Sequence, residues 1–247
     1  MDPTNETPLN AQELTELARA RASFYAFANI HFTNLPDMTF VNHVRSSNFL
    51  DALDALMYDA SMPEDITKGA ALMRGYLDST MQTDGGKLTE YLGVDRTRLY
   101  RGLSPSYGPP PPYEAVWSKT ERDVPTILMT ISGIYQQVGM TVSEQARDRL
   151  DYVGVELDYE YQLAIKEAEA WQAGEAEKAA DLLKRQEMFM REHLGMWVPG
   201  FVEKALTMAE TDFYRGHLMM LRGFLAAEQE RLQVILEDLG DKTALKP

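Results

Sequence analysis

The chain has 247 residues, of which 45% are hydrophobic and 25% charged, and it contains no cysteine. A chain of this size and composition folds around a core without disulfides, and the missing thiols exclude disulfides, iron–sulfur clusters and thiolate zinc sites. Its 24 basic and 38 acidic residues give a net charge of −14. Such a charge excludes binding to the phosphates of nucleic acid or to an anionic membrane as a main function. It favours a cationic partner, although acidity also serves solubility.

The N-terminal region is acidic and polar, which is the reverse of an export signal. No apolar run approaches the ~18–20 residues that span a bilayer. We therefore expect a cytoplasmic protein without stable membrane insertion and without nucleic acid as a partner.

Helical signals begin after a loose tail over residues 1–10. Asn10 and Glu13 form a capping box for a first helix, which should end near Asn34 because Leu35-Pro36 follows. Further helices are predicted over residues 38–58 with a break near 46–47, from 63 onward after a proline start, and over 87–103.

Four consecutive prolines at 109–112 interrupt this pattern, and residues 104–113 are predicted to form a stiff extended connection. Helices are then predicted over residues 114–119, 124–138, 143–173 and 175–194, with Pro199-Gly200 as a break before the last helices. No segment alternates apolar and polar residues over the length of a typical strand. The sequence predicts an all-α, single-domain bundle of about nine to twelve helices over residues 11–240, with a C-terminal tail at 241–247.

Motifs for enzyme chemistry are missing. The four histidines, His31, His43, His193 and His217, form neither Glu-x-x-His nor a pair four residues apart. There is also no phosphate loop and no Gly-x-Ser-x-Gly. We expect no enzyme activity, no metal and no cofactor. Two alternatives of other classes remain: a helical haem or small-molecule enzyme, and a structural adaptor that binds folded partners without recognising signal peptides.

Three segments stand out from ordinary helical sequence. They are Arg-Leu-Tyr-Arg-Gly-Leu-Ser-Pro from 98 with Pro-Pro-Tyr-Glu-Ala-Val-Trp at 111–117, Leu-Asp-Tyr-Val-Gly-Val-Glu-Leu-Asp-Tyr at 150–159, and Glu-His-Leu-Gly-Met-Trp-Val-Pro-Gly-Phe at 192–201. In this order and spacing they resemble the TorD/DmsD/NarJ family of cytoplasmic chaperones for molybdenum-dependent redox enzymes. The resemblance covers roughly residue 18 to the end of the chain.

The three segments match the family pattern unequally. The third fits His-Leu-x-x-Trp-x-Pro-x-Phe, and the first fits Pro-Pro-Tyr-Glu-x-Val-Trp. In the second, Asp151, Glu156 and Leu157 match, whereas Arg149 replaces a common proline and Tyr152 a common histidine. Tyrosine keeps a hydroxyl but does not titrate near neutral pH, so any protonation step that depends on the histidine is absent.

The resemblance implies a TorD-like fold and a binding function. Such chaperones bind the twin-arginine signal peptide and apoprotein of a molybdopterin-dependent reductase or dehydrogenase and assist cofactor insertion before export. An alternative within the family is a NarJ-like assembly chaperone for a molybdoenzyme subunit that is not exported. A receptor for a basic, apolar peptide needs carboxylates beside an apolar groove.

The resemblance and this chemistry give a candidate peptide-binding set. It comprises Tyr113, Glu114, Trp117, Asp151, Tyr152, Glu156, His193, Trp197 and Pro199. Six of the nine have a structural alternative: His193 and Trp197 could lock a helix end, Tyr113 and Trp117 could dock the prolines, Asp151 could be the N-cap of the long helix, and Glu156 could pair with a buried arginine.

The proline connection also allows two interpretations. As a stiff strut it permits one half of the bundle to swap onto a second copy, which gives a homodimer. As a pinned segment it walls the peptide groove. We favour the groove wall, because Tyr113 and Glu114 follow the prolines directly.

Overall fold

The computed structural model describes residues 10–118, 123–140, 142 and 149–244, and within these ranges it contains helices and no strand. The all-α prediction is confirmed, and the number of helices falls in the predicted range. No helix in the described part of the chain combines the length and the apolar character that crossing a bilayer requires.

Eleven α-helices follow one another along these residues. They are α1 (Ala11–Thr33), α2 (Met38–Val44), α3 (Ser47–Tyr58), α4 (Glu64–Ser79), α5 (Gly85–Tyr100), α6 (Glu114–Trp117), α7 (Val124–Gln137), α8 (Val153–Gln172), α9 (Ala176–Phe189), α10 (Gly195–Leu206) and α11 (Asp212–Ala244). A π-helical turn, Met190–Leu194, joins α9 to α10 without a break.

The early helices begin where the capping residues predict. The Asn10 side chain accepts the amide protons of Gln12 and Glu13, while Glu13 accepts the Asn10 N–H at 2.8 Å. Ser46 caps α3 by accepting the Phe49 N–H. The break between α2 and α3 is therefore confirmed, because local side-chain bonds satisfy the amide donors that every helix start leaves open.

Two long helix pairs form the body of the bundle: α1 packs along α8, and α4 packs along α11. Apolar side chains at alternating three- and four-residue steps bury one face of α1. Between α4 and α11 the backbones themselves meet, since a Cβ added to Gly69 would lie 2.6 Å from the Gly216 carbonyl oxygen. The same core extends over α5, α7, α9 and α10.

The predicted start of the long helix at residue 143 is wrong for the described part. Residues 149–152 are not helical, and α8 begins at Val153; residues 143–148 lie outside the described ranges. Tyr152 is extended because it forms an isolated antiparallel bridge with Tyr113. A tertiary contact thus sets this helix start, and no local sequence signal announces it.

The predicted break at Pro199 is also wrong, because Pro199 lies inside α10. Its missing N–H leaves the Gly195 carbonyl without its usual helical donor. Burial of Trp197, Val198 and Phe201 on the inner face holds the helix through this position. Packing therefore outweighs the local cost of the proline.

The proline connection lies against the end of α5. Pro109 and Pro112 are buried, and a Cβ on Gly108 would lie 1.9 Å from the Arg98 carbonyl oxygen. The Trp117 indole N–H donates to the Pro111 carbonyl at 3.0 Å. Of the predicted tails, residues 1–9 and 245–247 lie outside the described ranges, whereas helix α11 continues to Ala244.

Candidate functional site

A two-residue bridge brings the first and second motif segments together. The Glu114 N–H donates to the Asp151 carbonyl at 2.9 Å, and the Val153 N–H donates to the Pro112 carbonyl at 3.1 Å. The start of α6 and the start of α8 are therefore fixed against each other by backbone hydrogen bonds, although 39 positions separate them in sequence.

Asp151 strengthens this junction with its side chain. Its carboxylate accepts the Ala115 N–H at 3.2 Å, so it caps the first turn of α6 from outside that helix. Burial raises the pKa of Asp151 above its usual range. Tyr152 occupies the N-cap position of α8 and makes no side-chain cap bond there. Asp151 is thus a cap, but of α6 and not of the long helix that follows it.

The π-helical turn brings the third segment to the same place. Nδ1 of His193 lies 2.8 Å from Oε2 of Glu114, and both side chains are buried. The turn exists because the Gly195 N–H bonds to the Met190 carbonyl, five residues back. A Cβ at Gly195 would lie 2.6 Å from that oxygen, so glycine permits this close approach. π-Turns of this kind recur at functional sites.

Glu156 and Trp197 form a second buried pair. The Trp197 indole N–H donates to Oε2 of Glu156 at 2.9 Å, while Oε1 has no hydrogen-bond partner. Burial, and then the nearby Glu114 carboxylate, raise the pKa of Glu156 well above its usual value. Glu156 therefore pairs with an indole and not with the buried arginine considered from sequence. We call these four residues, Glu114, Glu156, His193 and Trp197, the Glu114 cluster.

The remaining predicted site residues reach the surface above this cluster. Tyr113, Trp117, Tyr152 and Pro199 are each partly exposed. The Trp117 ring packs edge-on against Phe201 at 5.6 Å between centroids, since α6 lies on α10. All nine predicted residues thus lie in one region, with five buried and four at its surface.

Two apolar side chains are exposed on α6 and α10, the two helices that pack on each other here. Val116 on α6 is 48% exposed and Met196 on α10 is 43% exposed. Together with Trp117 and Pro199 they define what we call the α6–α10 surface. Its exposed side chains are apolar, whereas the predicted carboxylates lie underneath it and do not reach solvent.

Positive side chains that the sequence analysis did not select lie on the other side of Tyr113. The Arg149 guanidinium carbon stands 3.4 Å from the Tyr113 ring centroid. Tyr113, Tyr152, Arg96, Arg101 and Arg149 share one cavity. The charges beside the two tyrosines are therefore arginines.

A separate polar cluster lies in the centre of the bundle. Arg21 donates to Glu228 at 2.5 Å, to Glu167 at 2.8 Å and to the Gln186 side-chain oxygen. These four residues, the Arg21 cluster, join α1, α8, α9 and α11. The sequence carried a signal for it, because Arg21 falls on the buried face of α1 and Glu167 on the buried face of α8.

Glu160 lies near Glu228 and Arg21 of this central cluster. It is fully buried and neither of its carboxyl oxygens has a hydrogen-bond partner. Burial, and then the Glu228 carboxylate, raise its pKa well above the usual value. Among the described residues, no group of three or more histidine, aspartate or glutamate side chains is placed to hold a metal ion. The geometry is that of an exposed apolar surface, the α6–α10 surface, whose helices are held in place by the buried polar residues of the Glu114 cluster.

Comparison with known families finds a match for this chain. The family model described as "Nitrate reductase delta subunit" matches residues 59–203, which is more than half of the chain and includes all nine predicted site residues. A search of curated proteins finds no match.

Proposed function

This chain belongs to the nitrate reductase delta subunit family, and from that premise we propose that it binds the N-terminal twin-arginine signal peptide and the apo form of a molybdopterin-dependent reductase or dehydrogenase in the cytoplasm. The family supports a role in molybdoenzyme maturation. In the proposed function the chaperone holds its client until the cofactor has been inserted, and so prevents export of an empty enzyme.

The observation that carries this proposal is the α6–α10 surface. Val116 on α6 and Met196 on α10 are each about half exposed, and the indole of Trp117, which packs on α10 through Phe201, is partly exposed. Covering such side chains with the apolar stretch of a signal peptide is favourable by ~25 cal/mol per Å² of apolar surface removed from water. An apolar segment laid on a helical surface is a common recognition mode for peptides.

The buried partners give this surface a fixed shape. Glu114 and His193 join α6 to the π-helical turn, and Glu156 and Trp197 join α8 to α10. We assign peptide contact to Tyr113, Trp117, Tyr152 and Pro199, and we assign positioning of these four to Asp151 and the Glu114 cluster. A rigid receptor loses less conformational entropy on binding, which increases affinity.

Matched valine variants test the surface. Val116→Ser should weaken binding of the signal peptide several-fold, because it removes exposed apolar contact area on α6. Val234→Ser on α11 is the control, since Val234 is also exposed, at 56%, but lies away from the site residues. Titration calorimetry with a synthetic signal peptide measures both. Equal affinities for the two variants would argue against the α6–α10 surface as the binding site.

The charge contribution is tested on the peptide. We expect micromolar or tighter binding, steered by the net charge of −14. Changing both signal arginines to alanine should weaken binding and flatten its salt dependence, because surface charges are screened within ~8 Å at physiological salt. Equal affinity for both peptides would remove recognition of the arginine pair and leave apolar binding.

That second outcome would favour the other family function, assembly of a molybdoenzyme subunit that is not exported. Two observations favour this candidate: the matched family is described by a nitrate reductase subunit, and arginines lie beside Tyr113 and Tyr152. A client segment without an arginine pair avoids that positive charge. Calorimetry with the N-terminal segment of such a subunit tests it directly.

The proline connection is proposed as a wall of this surface. Trp117 is bonded to the Pro111 carbonyl, so the position of its ring depends on the prolines. Replacing Pro110 and Pro111 by glycine should lower peptide affinity and leave the elution volume on sizing chromatography unchanged. A shift between monomer and dimer with constant affinity would instead support the strut that controls swapping.

A further inference from the structure

A cavity of about 570 Å³ opens between the ends of α1 and α5 and the start of α8. Three arginines line it, Arg96, Arg101 and Arg149, together with Tyr113 and Tyr152. We call it the arginine pocket. Three guanidinium groups around one cavity stand out in a chain with a net charge of −14, and their grouping identifies a place for an anion.

Arg96 forms the buried side of the pocket. Its Nη2 donates to the Phe32 carbonyl, but its Nε is buried and has no hydrogen-bond partner. A buried guanidinium donor without an acceptor is costly, and a bound anion supplies the acceptor. This open N–H is an observation independent of the clustering of charge.

Nearby carboxylates in the described ranges neutralise the three arginines only in part, since the charge of Arg149 acts on the Asp151 carboxylate. Asp151 is occupied by the Ala115 N–H, and Asp95 accepts the N–H groups of Glu210 and Thr211. Within those ranges Arg96, Arg101 and Arg149 form no ion pair with a carboxylate. Arg149 instead lies on the Tyr113 ring, which fixes its guanidinium at the pocket wall.

The surroundings favour an anion of low charge. α1 ends at Thr33 and α5 ends at Tyr100 beside the cavity, and α8 begins beside it at Val153, so two helix C-termini and one N-terminus together contribute about half a negative charge there. They offset part of the charge of three arginines. A polyphosphate is therefore less well matched than a single carboxylate, which two guanidinium groups can hold with bidentate bonds.

We propose that the arginine pocket binds a glutamate or aspartate side chain of the client polypeptide. The inference rests on the proposed function, since Tyr113 belongs both to the pocket and to the peptide-contacting residues. Only α6 separates Tyr113 from Trp117, a length of ~6 Å at 1.5 Å per residue, so one bound segment spans both places.

The pocket also sets the direction of the bound segment. Like charges repel, so the arginines of a client are excluded from the pocket end of the surface and an acidic residue is favoured there. The client segment is thereby held in one orientation along α6. Specificity then comes from repulsion as well as from attraction.

Side-chain NMR tests the pocket without an identified client. The probes are the capped tripeptides acetyl-Glu-Leu-Phe-amide and acetyl-Gln-Leu-Phe-amide, with inorganic phosphate as a third. We expect the glutamate probe to shift the Arg96 Nε–H resonance and the glutamine probe to leave it unchanged. A response to phosphate alone, or to both tripeptides equally, overturns the carboxylate assignment.

Binding of the whole client tests the same pocket in the proposed function. The ligand is the apo catalytic subunit of a molybdoenzyme from the same organism, and the variant is Arg101→Gln with Arg149→Gln. The control, Arg185→Gln with Arg191→Gln, removes two arginine charges from α9 and the π-helical turn. We expect at least tenfold weaker binding for the pocket variant and a change below twofold for the control.

Two failures are distinguishable in that measurement. If the unmodified chaperone does not bind the apo subunit, the proposed function fails, and the inference that rests on it is overturned too. If it binds and the pocket variant binds equally well, only the arginine pocket is overturned. Arg101 and Arg149 are exposed, so their substitution leaves the core intact even where an Arg96 variant does not fold.

Discussion

The Arg21 cluster and the Glu114 cluster are both buried and polar, but they are satisfied to different degrees. Arg21 sits among two carboxylates and an amide, and each of its nitrogens has an acceptor. The Glu114 cluster has two carboxyls, one histidine and no arginine, and one oxygen of Glu156 is left without a partner. The donor nitrogens of Arg21 all have acceptors within the first cluster, whereas the second cluster leaves one acceptor without a donor.

The locations of the two clusters match this difference. The Arg21 cluster is fully buried and connects four helices, so its ion pairs hold the bundle in one arrangement. The Glu114 cluster lies under the α6–α10 surface and connects short or irregular elements, α6 and the π-helical turn. The unpaired oxygen of Glu156 thus lies beneath the surface where binding is proposed, whereas beside the Arg21 cluster it is Glu160, outside the four bonded residues, that leaves both carboxyl oxygens unpaired.

Removing the charge of Arg21 should give the largest effect and tests whether the Arg21 cluster stabilises the bundle. Arg21→Met keeps the length of the side chain but leaves Glu167 and Glu228 without their charge partner in the core. We expect a loss of about 3–5 kcal/mol in the free energy of unfolding, because unpaired buried charges are costly. Urea unfolding followed by circular dichroism measures it.

Arg191→Met is the matched control for that experiment. Arg191 pairs with Glu187 and Glu192 at the surface, where water and salt screen the interaction. We expect no measurable change in stability. A similar loss in both variants would mean that the buried cluster is no more important for stability than a surface ion pair.

Glu114→Ala tests the second cluster and should cost less. The substitution leaves Nδ1 of His193 buried without a partner, which costs about 1–3 kcal/mol. It should also weaken peptide binding, because α6 loses its link to the π-helical turn. Glu192→Ala, an exposed neighbour of His193, serves as the control for both measurements. Lower stability with unchanged peptide affinity would remove the positioning role.

Glu160→Gln tests how the buried carboxyl beside the Arg21 cluster contributes to the pH dependence of stability. Burial raises the pKa of Glu160 in the folded state above the unfolded value near 4.5. Its stabilising contribution is therefore complete below about pH 4.5 and is lost as the pH rises through the folded-state pKa. One such group adds a slope of up to ~1.4 kcal/mol per pH unit to the free energy of unfolding.

The glutamine variant cannot ionise, so its stability should fall less steeply between pH 5 and pH 8. Urea midpoints measured across that range test this expectation. Glu169→Gln on the exposed side of the same helix should leave the slope of the unmodified protein unchanged. A slope that is identical in all three proteins would contradict a buried, protonated Glu160.

The smallest effect is expected from Tyr152→Phe. The Tyr152 hydroxyl donates to the Phe32 carbonyl at 2.8 Å, and Arg96 donates to the same oxygen. Because that carbonyl keeps a second donor, losing the hydroxyl should cost only about 0.5–1 kcal/mol. Thermal unfolding measures it. A loss as large as that of Arg21→Met would place Tyr152 among the main structural residues.

The sequence predicted the helices well where local chemistry sets their ends. Asn10 and Ser46 cap their helices with their own side chains, and each start was predicted within a residue or two. Val153 begins α8 because Tyr152 bridges to Tyr113, and Pro199 stays helical because its neighbours are buried. Those outcomes depend on contacts between distant parts of the chain, which local patterns do not encode.

The candidate site shows the same limit. Motif spacing selected nine residues that the fold places in one region, but it did not distinguish the buried carboxylates from the exposed tyrosines. Arg96, Arg101 and Arg149 come from two separate stretches, and only the packing of α1, α5 and α8 brings them to one cavity. Arg21 is a charged residue at a position that falls on the apolar face of α1. Such a residue indicates a buried polar cluster, but an analysis that considers only the spacing of apolar residues does not identify it.

The bridge between Tyr113 and Tyr152 has a consequence for how the chain tolerates change. Because backbone hydrogen bonds join residues 112 and 114 to residues 153 and 151, the stretch between them begins and ends at a single point of the bundle, although α7 within it packs into the core. Extending a closed loop costs little conformational entropy, about 0.6 kcal/mol for each doubling of its length. Insertions within its surface turns can therefore accumulate in evolution while the junction that carries Glu114 and Asp151 keeps its geometry.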